Sequence, residues 1–468
     1  MDDEGSTSSA VTPPRGAPGT SGAPSPPKSR MQLSAARSSR RWLYWRRRAT
    51  VLMAFGAVFS GIGWVVSGPG SPRIVPSSDP RSAPIHLPSL VPIVRAVTRF
   101  PGTLEPLPIP STGQSAVYVQ GVGLLGASSD EQSAPMASVT KVMTAVIVLE
   151  DHPLGHGSGP TFTMTAADHQ AWINAVEQGD SSLEVVAGER LTERQLLEGL
   201  MIPSACNIAD YLARWDAGSI VAFVRKMNAM ATTLGLAHTH YADASGLSLY
   251  SRSTAVDQAI LGAYAMSVPG MVSIVDHPVV QFPTGLVGGY NPALGEDGVI
   301  GLKSGFTDAA QICLVTAARR IVAGHSVLVV SATLGQPSSL EWAAEIDLQL
   351  LDAATSDLRS RPLVRAYQRV ARVVAGWSRA RPFAVVTVPV TVVGWAGLPV
   401  RTVVESSIPL KPATGRGWKS GTPIASVDVV TPAGVQSVTP AKLSRFLSAA
   451  PPGWSPPPAA KLAAATGS

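Results

Sequence analysis

Ser138 and Lys141 are the pair in this chain whose types and spacing point most directly to chemistry. They stand three apart in Ala137-Ser138-Val139-Thr140-Lys141, so one helical turn brings a hydroxyl and an amine onto the same face. Burial strips water from a lysine and disfavours its charged form, which lets the amine accept a neighbouring serine's proton. The run Val142-Met143-Thr144-Ala145-Val146-Ile147-Val148-Leu149 has no polar face, which predicts a helix buried on all sides. The start of such a helix carries unpaired N–H groups and the positive end of its dipole, a setting suited to an oxygen that becomes an anion. The ordinary reading of the same residues is a serine cap with a lysine reaching solvent, and S-x-x-K alone is common. Two later segments decide between them. Ser204-Ala205-Cys206-Asn207 follows Pro203 and opens a fresh helical run. Gly301-Leu302-Lys303-Ser304-Gly305-Phe306-Thr307 precedes Gln311-Ile312-Cys313-Leu314-Val315-Thr316-Ala317, which predicts adjacent antiparallel strands. Lys303 then projects from an edge-type strand open to β-augmentation by a substrate chain, and Gly305 leaves room for that approach.

The elements that must position these groups are legible around them. Ser115–Gln120 and Gly123–Ala127 form a predicted hairpin leading into the Ser138 helix. Thr192 and Gln195 make a capping box for a helix that Pro203 ends. Ser219 opens another helix that runs to Leu234, with Gly235 at its C-cap. A further helix is expected over 340–351.

The 468 residues carry net charge +6, 43 Gly and 40 Pro, enough for two or three globular units with polar connectors. Residues 1–48, rich in Ser, Pro, Ala and Arg, are expected to be disordered. Ala49 to Val66 is free of charge and follows Arg46-Arg47-Arg48, so residues 49–67 are expected to be a transmembrane anchor with the N-terminus in the cytosol. A cleaved signal peptide is the competing reading, but the stretch starts late and is long for one. The basic balance is attributed to this arginine-rich N-terminal part, which favours membrane orientation over nucleic-acid binding. Residues 68–112, with closely spaced prolines, are expected to be a stiff linker. Residues 356–379 are expected to be a linking helix. Residues 380–447 are expected to be a small all-β domain, and 448–468 a disordered tail.

Ser138-Val139-Thr140-Lys141, Ser204-Ala205-Cys206 and Lys303-Ser304-Gly305, in this order, resemble the S-x-x-K, S-D-N and K-T-G set of penicillin-binding proteins. Among these they resemble the serine D-Ala-D-Ala carboxypeptidases of low molecular mass. The resemblance covers roughly residues 113–355 and continues through Gly188–Thr192, Phe223–Asn228, Leu234–Leu236, Ala244–Leu247 and Ser253–Asp257. Two departures stand out. Ser304 replaces threonine and keeps the hydroxyl, while Cys206 stands where asparagine is usual, with Asn207 one place later. Relatives resembling the transpeptidase branch carry a cysteine there.

This resemblance implies an α+β fold: a β-lactamase/transpeptidase-like domain with an antiparallel sheet flanked by helices, then the small all-β domain, all preceded by one transmembrane helix. It implies Ser138 as nucleophile, Lys141 as base and Ser204 as proton relay. Lys303, Ser304, Gly305 and Phe306 would bind substrate, the Phe306 N–H joining that of Ser138 around the oxyanion. Cys206 or Asn207 would contact the stem peptide or Lys141. The implied substrate is a peptidoglycan stem peptide ending in D-Ala-D-Ala. β-Lactams are the implied acylating inhibitors. Membrane attachment is through the N-terminal anchor, placing the catalytic domain outside a bacterial cell membrane, with no cofactor, no metal and no nucleic acid.

Among the eight histidines His238 and His240 stand two apart, too few for a recognisable ligand set. Cys206 and Cys313 permit one disulfide, but two buried free thiols are expected. A β-lactamase of class A needs a glutamate-held water, and Glu296 is the only glutamate between Ser204 and Lys303, outside the required setting. The remaining alternatives are a D,D-transpeptidase and a catalytically idle β-lactam- or wall-binding protein.

Overall fold

The computed structural model describes residues 88–129, 131–408, 416–445 and 447–448. All of them belong to one compact unit, Ser82–Ser468. The segments expected as N-terminal disorder, membrane anchor and C-terminal tail lie outside the described residues, save Ser448. Among the described residues no helix is long and apolar enough to cross a membrane.

A five-stranded antiparallel sheet organises the catalytic half, in the order Val299–Thr307, Gln311–Val322, His325–Gln336, Gln114–Val119, Gly123–Ala127. The 114–127 hairpin is thus appended beside the long 311–336 hairpin. Alternation sorts the side chains: Ala116, Val315 and Val330 face the helical core, and Val117, Leu314 and Val329 face the other core. The helical side is built on Lys141–Asp151, buried from Lys141 through Leu149, as its unbroken apolar run requires. Around it lie Glu193–Met201, Cys206–Ala217, Ile220–Leu234 and Ala255–Ala265. The Thr192–Gln195 capping box forms, Ser219 caps its helix, and Gly235 ends that helix in the left-handed conformation.

The opposite face is covered by Leu340–Asp357, longer than its apolar pattern alone suggested. Asp347, fully buried on it, accepts hydrogen bonds from Thr316 (2.6 Å), Ser331 (2.7 Å) and Thr333 (2.6 Å) on two sheet strands. A buried carboxylate persists only where donors replace its water, and three hydroxyls do so here. Burial nevertheless pushes its pKa up to about 6.

Two expectations are corrected by the β-rich half. The expected linking helix over 356–379 is instead two strands, Arg359–Val364 and Arg369–Val374. Arg-Val-Ala-Arg-Val-Val buries Val370, Ala371 and Val373 while exposing Arg369 and Arg372, a pattern for a half-buried sheet with one bulge. The second half of the expected linker is also structured. Ser89–Pro92 and Val97–Arg99 are the two edge strands of a seven-stranded sheet otherwise made of residues 369–443. Pro92 falls on one of these edges, where a missing ladder donor is most easily borne.

Candidate active site

Ser138 sits in a 3-10 turn, Ala137–Thr140, that runs into the buried helix at Lys141. Burial of that helix takes Lys141 out of solvent entirely. Its Nζ reaches three acceptors: Ser138 Oγ at 2.8 Å, the Ser245 carbonyl at 2.8 Å and Cys206 Sγ at 3.4 Å. Among the described residues no carboxylate forms an ion pair with it. The amine is therefore directed at the serine by a carbonyl and a thiol.

The Ser245 carbonyl owes its position to Asp243, which the sequence reading did not single out. Asp243 Oδ2 accepts from Ser245 Oγ and the Gly246 N–H, both at 2.8 Å, and from the Leu247 N–H at 2.9 Å. Its other oxygen is bonded to Ser251 Oγ. Thr144 on the buried helix holds the Ala244 carbonyl at 2.7 Å. Gly246, at φ +87°, lies so near Ala137 that any Cβ there would overlap the Ala137 carbonyl oxygen. An aspartate followed closely by Ser-Gly is a turn signal, which is the local clue available in the sequence.

Ser204 precedes the Cys206–Ala217 helix, but Ala205 is the N-cap, so Ser204 is not a capping residue. It is held at φ +64°, a left-handed conformation rare for serine, and Ala137 likewise stands at φ +48°. Two such residues in one site are stored strain of the kind found where geometry is over-determined by its surroundings. Ser204 Oγ is buried and meets no hydrogen-bond partner among the described residues.

Lys303 lies on the Val299–Thr307 edge strand as expected and is only 2% exposed. Its Nζ donates to the Ser304 carbonyl at 2.8 Å. Burial first, and the nearby Lys141 second, lower its pKa well below the usual lysine value, with Cys206 opposing. Gly305 differs in detail from its expected part. A Cβ there would lie 2.7 Å from the Ser138 amide nitrogen and 3.1 Å from that of Val139, so the glycine admits the serine turn against the strand. Phe306, 58% exposed, projects at the rim.

These groups share one cleft of about 550 Å³, lined by Ser138, Ser204, Cys206, Ser304, Gly305 and Phe306 among others. Lys303 lines a smaller neighbouring cavity with Ser304 and Tyr290. Asn207 is not part of the cleft wall. Its Oδ1 accepts from the Leu183 N–H at 3.0 Å and its Nδ2 donates to the Leu183 carbonyl at 2.9 Å, which uses both ends of the amide to hold a loop. The expectation that Asn207 contacts substrate is therefore corrected to a positioning role. Of the two neighbours it is Cys206 that meets Lys141, and both cysteines are free and buried.

A nucleophile with a buried amine in hydrogen-bond contact and an unpaired hydroxyl at one cleft, with a second lysine in the adjoining cavity, are the parts of an acyl-transfer centre. Residues 114–337 match the peptidase family S11, D-alanyl-D-alanine carboxypeptidase. D-alanyl-D-alanine carboxypeptidase DacB2 of Mycobacterium tuberculosis is 34% identical over 224 residues, 46% of this chain and 71% of that one. DacF of Bacillus subtilis, of the same description, is 27% identical over 282 residues, 56% of this chain and 66% of that one. The chain thus spans about two thirds of the length of these relatives. Penicillin binding protein 5 from Haemophilus influenzae shares the fold, with TM-score 0.55 and 18% identity over 74% of this chain and 99% of that chain. Fold, cleft and matches together define a serine peptidase. The chain belongs to the D-alanyl-D-alanine carboxypeptidase family.

Proposed function

We infer that the protein removes the terminal D-alanine from peptidoglycan stem peptides through an acyl-enzyme on Ser138. The observation that carries this is the 2.8 Å contact between Ser138 Oγ and a fully buried Lys141 Nζ. Lys141 takes the serine proton as Oγ attacks the carbonyl between the two D-alanines. The N–H groups of Ser138 and Phe306 face the developing oxyanion, an arrangement typically worth about 3–4 kcal/mol per donor. Support for this comes from Gly305, which brings the strand against the Ser138 amide. Ser204, with its unpaired hydroxyl, relays a proton to the departing amine: it donates its own proton and is reprotonated by the one Lys141 took from Ser138. Lys303 and Ser304 receive the terminal carboxylate, whose charge favours the protonated lysine. Water then releases the acyl group.

β-Lactams acylate the same serine. The chain is anchored by residues 49–67 in a bacterial cell membrane, N-terminus in the cytosol, with the catalytic unit outside. The uncharged run after three arginines supports this reading.

The test follows D-alanine released from a diacyl-D-Ala-D-Ala tripeptide, with protein mass recorded alongside. Steady release with a transient acyl-enzyme is expected. Product that appears only with an added amine acceptor would make the protein a transpeptidase. Absence of both release and mass change with penicillin would leave a binding protein.

A further inference from the structure

Charge is divided unevenly along the described fold. Residues 100–357 hold 25 acidic against 10 basic residues, whereas residues 358–448 hold 10 arginines and 3 lysines against only Glu405 and Asp428. The largest positive excess thus lies in the β-rich half, which corrects its attribution to the N-terminal segment.

Five of these cations meet at one end of the seven-stranded sheet. Arg379 and Arg381 lie in the turn before Phe383–Val386, Arg416 and Lys419 in the turn before Pro423–Thr431, and Arg445 just after Gly434–Leu443. The three segments are tied together. Ser444 exchanges hydrogen bonds with Phe383, Ser420 Oγ donates to the Ser444 carbonyl at 3.1 Å, and Trp377 Nε1 donates to the Ser448 carbonyl at 2.9 Å. All five cations are exposed, and segments 375–383, 416–421 and 444–448 contain no Asp or Glu. Among the described residues none of the five forms an ion pair. Like charges gathered without counter-charges repel one another and attract an anionic surface.

The chain's point of entry selects that surface. Ser89 pairs with Val374 and Arg372 with Phe383, so the first strand starts at this same end of the sheet. Between Val66, the end of the expected anchor's apolar run, and Ser89 there are only about twenty residues, a span of at most about 80 Å if fully extended. We propose that the loop end bearing Arg379, Arg381, Arg416, Lys419 and Arg445 docks on the phosphate head groups of an anionic lipid bilayer. Basic residues clustered near a charged membrane surface add their attractions. Docking by this end fixes which part of the molecule meets the bilayer, a constraint that a flexible tether alone does not impose. The inference rests on the membrane reading above for its location and is independent of the catalytic chemistry.

The test uses residues 82–468, which form one compact unit carrying both hydrophobic cores. Omitting residues 1–81 means that failure of docking and failure of the anchor are read separately. Co-sedimentation is measured with phosphatidylcholine vesicles with and without phosphatidylglycerol. The expected result is binding to the anionic vesicles alone, reversed by high salt. Combined Arg379→Gln, Arg381→Gln, Lys419→Gln and Arg445→Gln should weaken it by about a hundredfold or more while penicillin acylation persists as the control for folding. Salt reversal in the unsubstituted protein tests the charge dependence even if that variant misfolds. Equal binding to both vesicle types, or undiminished binding by an acylation-competent variant, would overturn the proposal. So would retention by soluble polyphosphate without vesicle binding, which would assign the surface to a polyanion. Salt-sensitive self-association abolished by the substitutions, with no vesicle binding, would assign it to the acidic half of a second copy.

Discussion

Gly305 and Ser138 are in backbone contact: a single methyl group on the glycine would stand 2.7 Å from the serine amide nitrogen. The edge strand and the turn that begins the buried helix are thereby held as one wall of the cleft. Gly305→Ala should separate them. The expected outcome is acylation by penicillin slowed at least about tenfold, with a stability loss of about 1–3 kcal/mol from overpacking. Stopped-flow acylation and denaturant titration measure the two effects. Unchanged acylation would mean that the strand can shift without disturbing the serine.

Ser138→Ala should abolish covalent labelling by penicillin, read by intact mass. Lys141→Ala should reduce it about as severely, because the hydroxyl loses the only amine within hydrogen-bond reach among the described residues. Labelling that survives in the Ser138 variant would place the nucleophile elsewhere.

Ser204 combines a left-handed backbone with an unpaired buried hydroxyl. Ser204→Gly should raise stability by about 1 kcal/mol through relief of strain, although glycine's freedom in the unfolded chain offsets part of this. The same variant should lose activity by about a hundredfold or more, since proton transfer contributes on that scale. A variant both destabilised and active would contradict the assigned role.

For Lys303 the folded-state pKa is depressed, so over the interval between it and the ordinary lysine value the unfolded chain holds more protons. Stability attributable to this group therefore rises with pH toward the ordinary lysine value. Lys303→Met should accordingly melt at a higher temperature at neutral pH, while its KM for a D-Ala-D-Ala substrate rises about tenfold or more through loss of a charge-assisted contact. A lower melting temperature with unaltered KM would make Lys303 a structural residue.

The pH dependence of Asp347 has the opposite sense. Its folded pKa of about 6 exceeds the ordinary value of 3.8, so the folded state holds the proton more tightly. Its contribution is fully present below about pH 4 and is lost as pH rises through about 6. The difference in unfolding free energy between the protein and Asp347→Asn should therefore change across that window by on the order of 3 kcal/mol. A flat difference would show that the three hydroxyls fully offset the burial.

Local chemistry made much of the catalytic half legible in advance. The unbroken apolar run 142–149 could only be satisfied by burial on every side, and the cap at Thr192, the cap at Ser219 and the terminus at Gly235 are decided within a few residues of chain. The three motif segments are short, and their residue types limit what each can do. What local sequence could not say is which groups touch. Asn207 and Cys206 are neighbours in the chain, yet one is spent on the Leu183 backbone and the other meets Lys141, because one residue of helix turns a side chain by about 100°. Asp243 is a turn residue by sequence and becomes the support of the Ser245 carbonyl only when residues a hundred positions apart are packed together. Residues 89–99 hold a single proline, Pro92, and read as a spacer because they fall within a longer stretch of closely spaced prolines, which favours an extended chain. Whether they line its edge depends on strands nearly three hundred residues downstream, and that pairing exists only in the folded chain.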